Sequence, residues 1–251
     1  MKLYDYTYPL LLLFLFAVFV CKGNSLFGYS PQEKNAEEEI EAVQYIYVSP
    51  YAELSYYDHH FREAADSINY DWTLIAAIAF TESRFDSTAR SSAGATGVMQ
   101  LMPATLRGLN VPDSLHSDPR TNIMAAAKLL ASLERMFRHI KDPGERVKFV
   151  LASYNAGYGH IFDAMRLAQK YGYNKHLWEA NVDSFLVKKH LPEYYTDSLC
   201  RNGEFKDWRQ TLSFVNKVHR HWRRFAEVQR SYSDSISSVA ESDTLVIVLE
   251  E

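Results

Sequence analysis

A single acidic residue closes the most apolar helical stretch of the chain. Glu82 follows residues 74–80, LIAAIAF, every one of which is apolar. A helix that is apolar around most of its circumference is buried, and a carboxyl group in apolar surroundings has a raised pKa. Glu82 can therefore hold a proton near neutral pH, as a general acid must. The structural alternative is a helix-end carboxylate that points to water or pairs with Arg84 or Arg90.

Two further segments could place polar groups beside this acid. Residues 94–105, GATGVMQLMPAT, carry two glycines and a proline around Gln100, which predicts a loop with short helical pieces. Residues 153–157, SYNAG, end a predicted helix with a glycine. Glu82 would then lie beside a tight loop whose side chains can contact a sugar.

The elements that position these residues are predicted to be helices. Apolar residues recur at helical spacing, and no run of alternating strands is long enough for a sheet-based domain. The predicted helices cover residues 54–68, 72–82, 122–137, 145–154, 161–171, 182–190 and 212–225. Short strand-like runs lie at 43–48 and 244–249.

Bulk properties allow one core and give no support for nucleic-acid binding. The chain has 251 residues, of which 47% are hydrophobic, and that suffices for one good core. Its formal net charge of −4 offers no basic surface field for a polyanion such as DNA. We predict a monomer with no cofactor.

The N-terminus is predicted to be a targeting segment. Lys2 precedes an unbroken apolar run at residues 10–20, which is short for a membrane span and ends at Cys21. We interpret residues 1–21 as a lipoprotein signal in which Cys21 becomes lipidated. Cleavage after Gly23 without lipidation, or an uncleaved anchor, are the alternatives. Cys200 then has no partner, so the fold is expected to hold without a disulfide.

The rest of the chain divides into three parts. Residues 22–48 are polar and acidic and are predicted to be a tether. Residues 49–228 form the helical domain. Residues 229–251 begin with a serine-rich stretch, which is typical of a flexible linker, and end in a short tail.

Three ordered motifs closely resemble the signatures of the soluble-lytic-transglycosylase (SLT) family. Residues 81–86 match its Glu-Ser motif, residues 94–105 its Gly-Leu-Met-Gln with a following Met-Pro, and residues 153–157 its Ala-Tyr-Asn-Ala-Gly. The resemblance runs from about residue 49 to residue 225. Val98 replaces the usual Leu and Ser153 the usual Ala. A family segment of the form Glu-Thr…Tyr-Val is replaced by residues 210–215, QTLSFV, to which no role is assigned.

The resemblance implies a mainly α, lysozyme-like single domain of the goose-type lysozyme and SLT kind, with at most a minor β element. It makes Glu82 the catalytic acid/base for cleavage of the glycan strand of peptidoglycan. Tyr154 would hold or polarise Glu82, and Ser83 would lie near the reacting muramic acid. The residues assigned to substrate binding are Ser83, Gln100, Met102, Ser153, Tyr154 and Asn155.

The implied chemistry needs one carboxyl group and no metal. Substrate-assisted glycosidases use the N-acetyl group of the sugar to stabilise the cationic centre, and the muramic 6-hydroxyl closes a 1,6-anhydro ring. Asp86 lies four residues after Glu82 and would be a second carboxylate if the helix continued. The alternative that we favour is that the helix has ended and Asp86 caps a turn. The histidine pairs, His59 with His60 and His219 with His221, lack zinc-site spacing.

Two rival functions stay open at this point. One is a goose-type lysozyme-like muramidase, which would hydrolyse the same bond. The other is a catalytically silent module that only binds peptidoglycan. In each case the expected partners are glycan strands and, through the lipid anchor, a membrane, and the expected location is the periplasmic side of the cell envelope. A basic helix face at residues 217–224 indicates a solvated surface or a weak attraction to anionic polymers or lipids.

Overall fold

The protein is described by a computed structural model that covers residues 45–49, 51–240 and 246–249. Its architecture is mainly helical with one small β element, which confirms the predicted fold class. In chain order the elements are β1 (Tyr45–Val48), α1 (Asp58–Ile68), α2 (Trp72–Ser83), α3 (Pro103–Gly108), α4 (Pro119–Phe137), α5 (Pro143–Ala156), α6 (Tyr158–Lys170), α7 (Asp183–Lys188), α8 (Pro192–Tyr195), α9 (Trp208–Ala240) and β2 (Val246–Leu249). A 3-10 turn at Asp113–Leu115 and a π-type turn at Trp178–Val182 interrupt the connections.

The centre of the domain is α2, which packs against both α1 and α9. Its first turn is capped by Asp71, whose carboxylate accepts the backbone N–H of Thr73 at 2.9 Å. Residues 73–79 are all buried, as the uniformly apolar sequence of this stretch predicts. The last turn of α2, which carries Glu82, therefore directly follows a fully buried stretch of the helix.

Two other helices each begin at an Asp-Pro dipeptide. Asp118 and Asp142 each cap the helix that follows, at α4 and α5, and each is followed by a proline at the first helical position. The helix α5 packs against α4, α6 and α9. The third motif, at the end of α5, is thereby fixed next to α9 and the core.

The two short strands pair with each other. Strands β1 and β2 run parallel, with Tyr45 opposite Val246 and Val48 opposite Leu249. The strand-like runs predicted from the sequence are confirmed at these residues. The pairing joins the two ends of the described chain, and the β element stays minor.

The prediction of a linker from residue 229 is wrong as far as residue 240. The helix α9 continues without a break to Ala240, because no glycine or proline interrupts residues 208–240. The serine hydroxyls do not compete with the helix; Ser235, Ser237 and Ser238 donate back to carbonyls three or four residues earlier.

Several predictions fall on residues outside the described ranges. They are the signal segment 1–21 with Cys21, the tether as far as residue 44, and the tail at 241–245 and 250–251. Among the helices that the structure describes, none combines the length and the apolar character needed to cross a bilayer.

Candidate active site

Glu82 is a half-buried acid without a partner. It occupies the last turn of α2, which ends at Ser83 because Arg84 adopts a left-handed conformation with φ 55°. Within residues 51–240 its carboxyl group makes no ion pair or hydrogen bond, so the pairings with Arg84 or Arg90 do not form. Burial raises the pKa of Glu82 to about 8. At pH 7 the group is therefore mostly protonated, roughly ten molecules to one.

Three elements hold the backbone of the loop at residues 97–100, which lies beside the end of α2. Ser83 donates its hydroxyl to the Val98 carbonyl at 2.7 Å, and Tyr154 donates to the Met99 carbonyl at 2.8 Å. The Met99 N–H donates to the side-chain oxygen of Asn122 at 2.8 Å. The loop is thus fixed from α2, α5 and α4 at once, and each of the three motifs contributes to it.

One end of the Gln100 side chain is used within the loop, and the other end is open to a ligand. Its side-chain amide nitrogen donates to the carbonyls of Ala89 at 3.0 Å and Gly97 at 2.9 Å. Its carboxamide oxygen accepts no hydrogen bond from the part of the chain that the structure describes, so this atom can contact a sugar. Met102 is 42% exposed at the start of α3, which gives it an apolar surface for a ligand.

The hydrogen bond expected between Tyr154 and Glu82 is absent. The phenol donates to Met99 instead, and its ring stacks on Phe214 of α9 with centroids 6.2 Å apart. Burial and, next, the negative charge of Glu82 raise the pKa of Tyr154. The two groups therefore interact electrostatically without a hydrogen bond, and Tyr154 positions the loop rather than the acid.

Ser153 and Asn155 lie on either side of Tyr154 and have different roles. Ser153 is 3% exposed, and its hydroxyl finds no partner among the described residues, so it is placed in the core and away from a sugar. Asn155 accepts a hydrogen bond from the buried hydroxyl of Thr211 at 2.8 Å. It also lines a cavity of about 390 Å³ with residues 204–207.

The segment to which the sequence analysis assigned no role is part of the site. Thr211 and Phe214 both belong to α9 and contact the third motif, one through Asn155 and the other through Tyr154. Gln210 stands where the family segment has Glu, and Phe214 where it has Tyr; the contacts of Thr211 and Phe214 need neither the charge nor the hydroxyl.

Asp86 is turned away to cap a turn, as favoured from the sequence. It is exposed and accepts both the N–H of Thr88 at 2.7 Å and its hydroxyl at 2.6 Å. Those hydrogen bonds lower the pKa of Asp86. Because Arg84 and Phe85 are left-handed, the helical spacing from Glu82 to Asp86 is broken. Asp86 is an ionised turn residue.

Sequence reasoning missed Asn122. This side chain is fully buried in the first turn of α4; besides accepting from Met99, its amide donates to the carbonyls of Thr96 at 3.1 Å and His116 at 2.9 Å. A Cβ at Gly97, whose φ is 79°, would lie 2.7 Å from the Asn122 side chain. The sequence did contain a signal for this role. Asn122 is a polar residue on the apolar face of a predicted helix, where a buried side chain needs hydrogen-bond partners.

A second acid of the interior lies outside the motifs. Asp163 of α6 is fully buried, and Lys189, also fully buried, donates to it at 2.6 Å. Arg166 and the backbone and side-chain amides of Asn202 also donate to it. Burial raises the pKa of Asp163, but the hydrogen bonds from Lys189, Arg201 and Asn202 outweigh it and bring the pKa to about 2. We name these residues the Asp163 cluster.

Histidines and acids do not gather into a metal centre within the described ranges. No group of three or more His, Cys, Asp or Glu side chains there has the arrangement of a metal site. His59 and His60 stack on each other at 3.8 Å.

Comparison with known protein families identifies the segment that holds all three motifs. Residues 59–177 match the family model described as "Transglycosylase SLT domain". This range includes α1 to α6 and ends before α9. All three motifs therefore lie within residues 59–177. Thr211 and Phe214 lie outside the matched range.

Relatives with curated names share this part of the chain. The chain is 40% identical over 141 residues to "Membrane-bound lytic murein transglycosylase F" of Desulfosudis oleivorans, with 54% of this chain and 29% of the relative covered. It is 34% identical over 176 residues to "Membrane-bound lytic murein transglycosylase F 1" of Alkalilimnicola ehrlichii, covering 68% and 33%. The chain therefore spans about a third of the length of these relatives.

A solved structure shows a more distant likeness. The 70 kDa soluble lytic transglycosylase of Escherichia coli aligns at 21% identity and a TM-score of 0.48, over 70% of this chain and 25% of that one.

Proposed function

Because residues 59–177 belong to the transglycosylase SLT domain family, we propose that this protein is a peptidoglycan lytic transglycosylase. It cleaves the β-1,4 bond between N-acetylmuramic acid and N-acetylglucosamine and leaves a 1,6-anhydro end. The observation that carries the proposal is Glu82, a partnerless acid whose pKa burial raises to about 8. The names of the relatives from Desulfosudis and Alkalilimnicola also support it.

In the first step Glu82 acts as a general acid. Its proton passes to the glycosidic oxygen as the bond from that oxygen to C1 of muramic acid breaks. The N-acetyl carbonyl of the same sugar stabilises the positive charge that develops at C1. Since Glu82 has no cationic partner among the described residues, burial alone sets the direction of its pKa shift and favours the protonated form before the substrate binds.

In the second step the same residue acts as a general base. The ionised Glu82 takes the proton of the muramic 6-hydroxyl while that oxygen bonds to C1. The anhydro ring closes, Glu82 is protonated again, and no water is consumed. A pKa near the working pH suits a group that must give and then accept a proton.

The loop beside the end of α2 provides the sugar contacts in this proposal. Met102 offers an exposed thioether side chain, and Gln100 offers its free carboxamide oxygen. The backbone of Val98 and Met99 is held by Ser83, Tyr154 and Asn122. A loop fixed in this way can position a sugar without paying for its own ordering at each binding event.

The products of digestion test the proposal directly. Full-length protein is incubated with purified murein sacculi in oxygen-18 water, and the products are identified by mass spectrometry. We expect unlabelled fragments that are lighter by one water than hydrolysis products. The variant Glu82→Gln should form them at least ~10²-fold more slowly, because an amide cannot exchange the proton.

A matched variant distinguishes loss of the catalytic proton from loss of a negative charge near the site. Asp86→Asn removes a nearby carboxylate that only caps a turn, and it should stay within a few-fold of wild-type activity. Labelled reducing ends would overturn the proposal in favour of a muramidase. Binding of sacculi without any cleavage would favour a silent binding module.

We also propose that the protein works at the periplasmic side of the cell envelope and is held there through a lipid on Cys21. The apolar run at residues 10–20 that ends in this cysteine supports the attachment, as does "membrane-bound" in the names of its relatives. Cys21→Ala should move the protein from the membrane to the soluble fraction or leave an unprocessed precursor. Mature-sized protein that still sediments with membranes would contradict lipidation.

A further inference from the structure

One flank of α9 carries positive charge beside the end of α2. Between residues 208 and 230 this helix has six Arg and Lys and one acid, Glu227, although the whole chain has a formal charge of −4. Lys217 and Arg220 lie one turn apart on this flank, and Arg84 caps the end of α2 next to it. We call these three residues the cationic flank.

His221 shows that the three cations are neighbours. Its ring lies edge-on to Phe80 of α2 with centroids 4.8 Å apart, so this turn of α9 is seated on the helix that carries Glu82. Burial lowers the pKa of His221, and the charges of Arg220, Lys217 and Arg84 lower it further. The three positive charges therefore converge on one histidine from two helices.

These cations are exposed and are not neutralised by the protein. Arg84, Lys217 and Arg220 are all solvent-exposed, and within residues 51–240 no carboxylate forms an ion pair with any of them. Other basic groups of the domain do find acids, such as Arg120 with Glu63 and Arg146 with Glu134. The cationic flank is thus available to an anion from outside.

The flank continues along α9 from Phe214, which contacts the third motif. Phe214 stacks on Tyr154 beside the loop, and Lys217 and Arg220 follow it by one and two turns, or about 5 and 9 Å along the helix. An extended peptide spans about 3.3 Å per residue. Two or three residues of a stem that passes Phe214 can therefore reach both side chains.

We propose that the cationic flank binds the carboxylates of the peptide stems that branch from muramic acid. This inference rests on the proposed function and deepens it by naming the part of the substrate that α9 recognises. The flank lies mostly on α9, outside the segment that matches the family. Stem recognition is thereby separated from cleavage, since Glu82 owes its raised pKa to burial and to no neighbouring charge.

The test compares two double variants of the full chain. Lys217→Gln with Arg220→Gln removes two charges from the flank. The control, Arg223→Gln with Arg230→Gln, removes two charges of the same helix that are not among those acting on His221, since Arg223 acts on His219 instead. Each protein is assayed on intact sacculi and on glycan strands from which an amidase has removed the stems. Co-sedimentation with sacculi is measured in low and high salt.

We expect the flank variant to bind intact sacculi roughly three- to tenfold more weakly and with less salt dependence, the range for two exposed charge pairs. On stem-free glycan it should match wild type within about twofold, and the control should match it on both substrates. Equal loss on both substrates, or no loss on either, overturns the proposal. So does a flank variant that keeps its affinity for sacculi and loses it only for vesicles containing anionic phospholipid.

The binding arm also separates this inference from the proposed function. If the wild-type protein releases no product from either substrate, the transglycosylase assignment fails. Weaker sedimentation of the flank variant with stem-bearing sacculi would then still support stem recognition, and unchanged sedimentation would overturn it.

Discussion

Glu82 and Asp163 are both acids of the protein interior, and their environments drive them to opposite protonation states. Glu82 has no hydrogen-bond donor within the described ranges, and burial raises its pKa to about 8. Asp163 is the more deeply buried of the two. Burial raises its pKa too, yet the donors Lys189, Arg201 and Asn202 bring it to about 2. Since burial raises the pKa of both acids, the donors around the carboxyl group decide which acid keeps its proton.

The difference separates an acid that can exchange a proton from one whose charge is fixed in the fold. A buried carboxylate whose acceptor sites are all used is a fixed part of the fold. A carboxyl group left without donors costs stability when it ionises and can exchange a proton with a ligand. The polar side chains near Glu82 do not supply donors to it. Ser83, Tyr154 and Asn122 form hydrogen bonds with the backbone of the loop at residues 97–100 instead.

Removing the charge of Asp163 should give the largest loss of stability. Asp163→Asn leaves Lys189 buried with a neutral partner, and we expect the free energy of unfolding to fall by about 3–5 kcal/mol. Denaturant titration of both proteins at pH 7 measures the change. Glu63→Gln, which breaks an exposed pair with Arg120, is the control and should barely move the midpoint. An equally small change for Asp163→Asn would mean that the donors around it do not stabilise its charge.

A smaller loss of stability is expected from a change at Tyr154, which holds the loop beside Glu82. Tyr154→Phe leaves the Met99 carbonyl without its donor, and we expect turnover to fall about tenfold as the loop loosens, with a loss of about 1 kcal/mol in stability. The pH at which activity falls on the alkaline side should shift by less than about half a unit, because the phenol is not the partner of Glu82.

Steady-state rates over a range of pH, together with thermal melts, check both parts. An alkaline limb displaced by a full unit would mean that Tyr154 does hold Glu82 in the working enzyme. Unchanged turnover with a lower melting temperature would make Tyr154 a core residue only.

Local signals in the sequence were enough to predict the surroundings of Glu82. The apolar stretch before Glu82 predicts a buried helix, and α2 is buried as predicted. The turn at Asp86 follows from Ser and Thr in the next two positions. Signals of this kind depend on neighbours within one or two helical turns, so one sequence suffices to interpret them.

Pairings across the fold were beyond the same reasoning. Asp163 and Lys189 are 26 residues apart and Asn122 reaches Met99 over 23, so nothing local marks them as partners. The phenol of Tyr154 was expected at Glu82 and binds a carbonyl instead, a choice that only the packing of α5 against the loop decides. The length of α9 was missed because its serines read as a linker, whereas their hydroxyls bond within the helix.

The central claim is that burial without a partner holds the proton on Glu82, and the pH dependence of stability tests it most directly. A carboxyl group whose pKa rises from 4.5 unfolded to about 8 folded binds more protons in the folded state across that window. The contribution of Glu82 to the free energy of unfolding must therefore fall as pH rises from 4.5 to 8. Glu82→Gln cannot titrate, so it should match wild type near pH 4.5 and exceed it by between about 1 and 3 kcal/mol at pH 9. Denaturant titrations of both proteins across this range give the comparison. Parallel curves, with no gain for the Gln variant at high pH, would contradict the account.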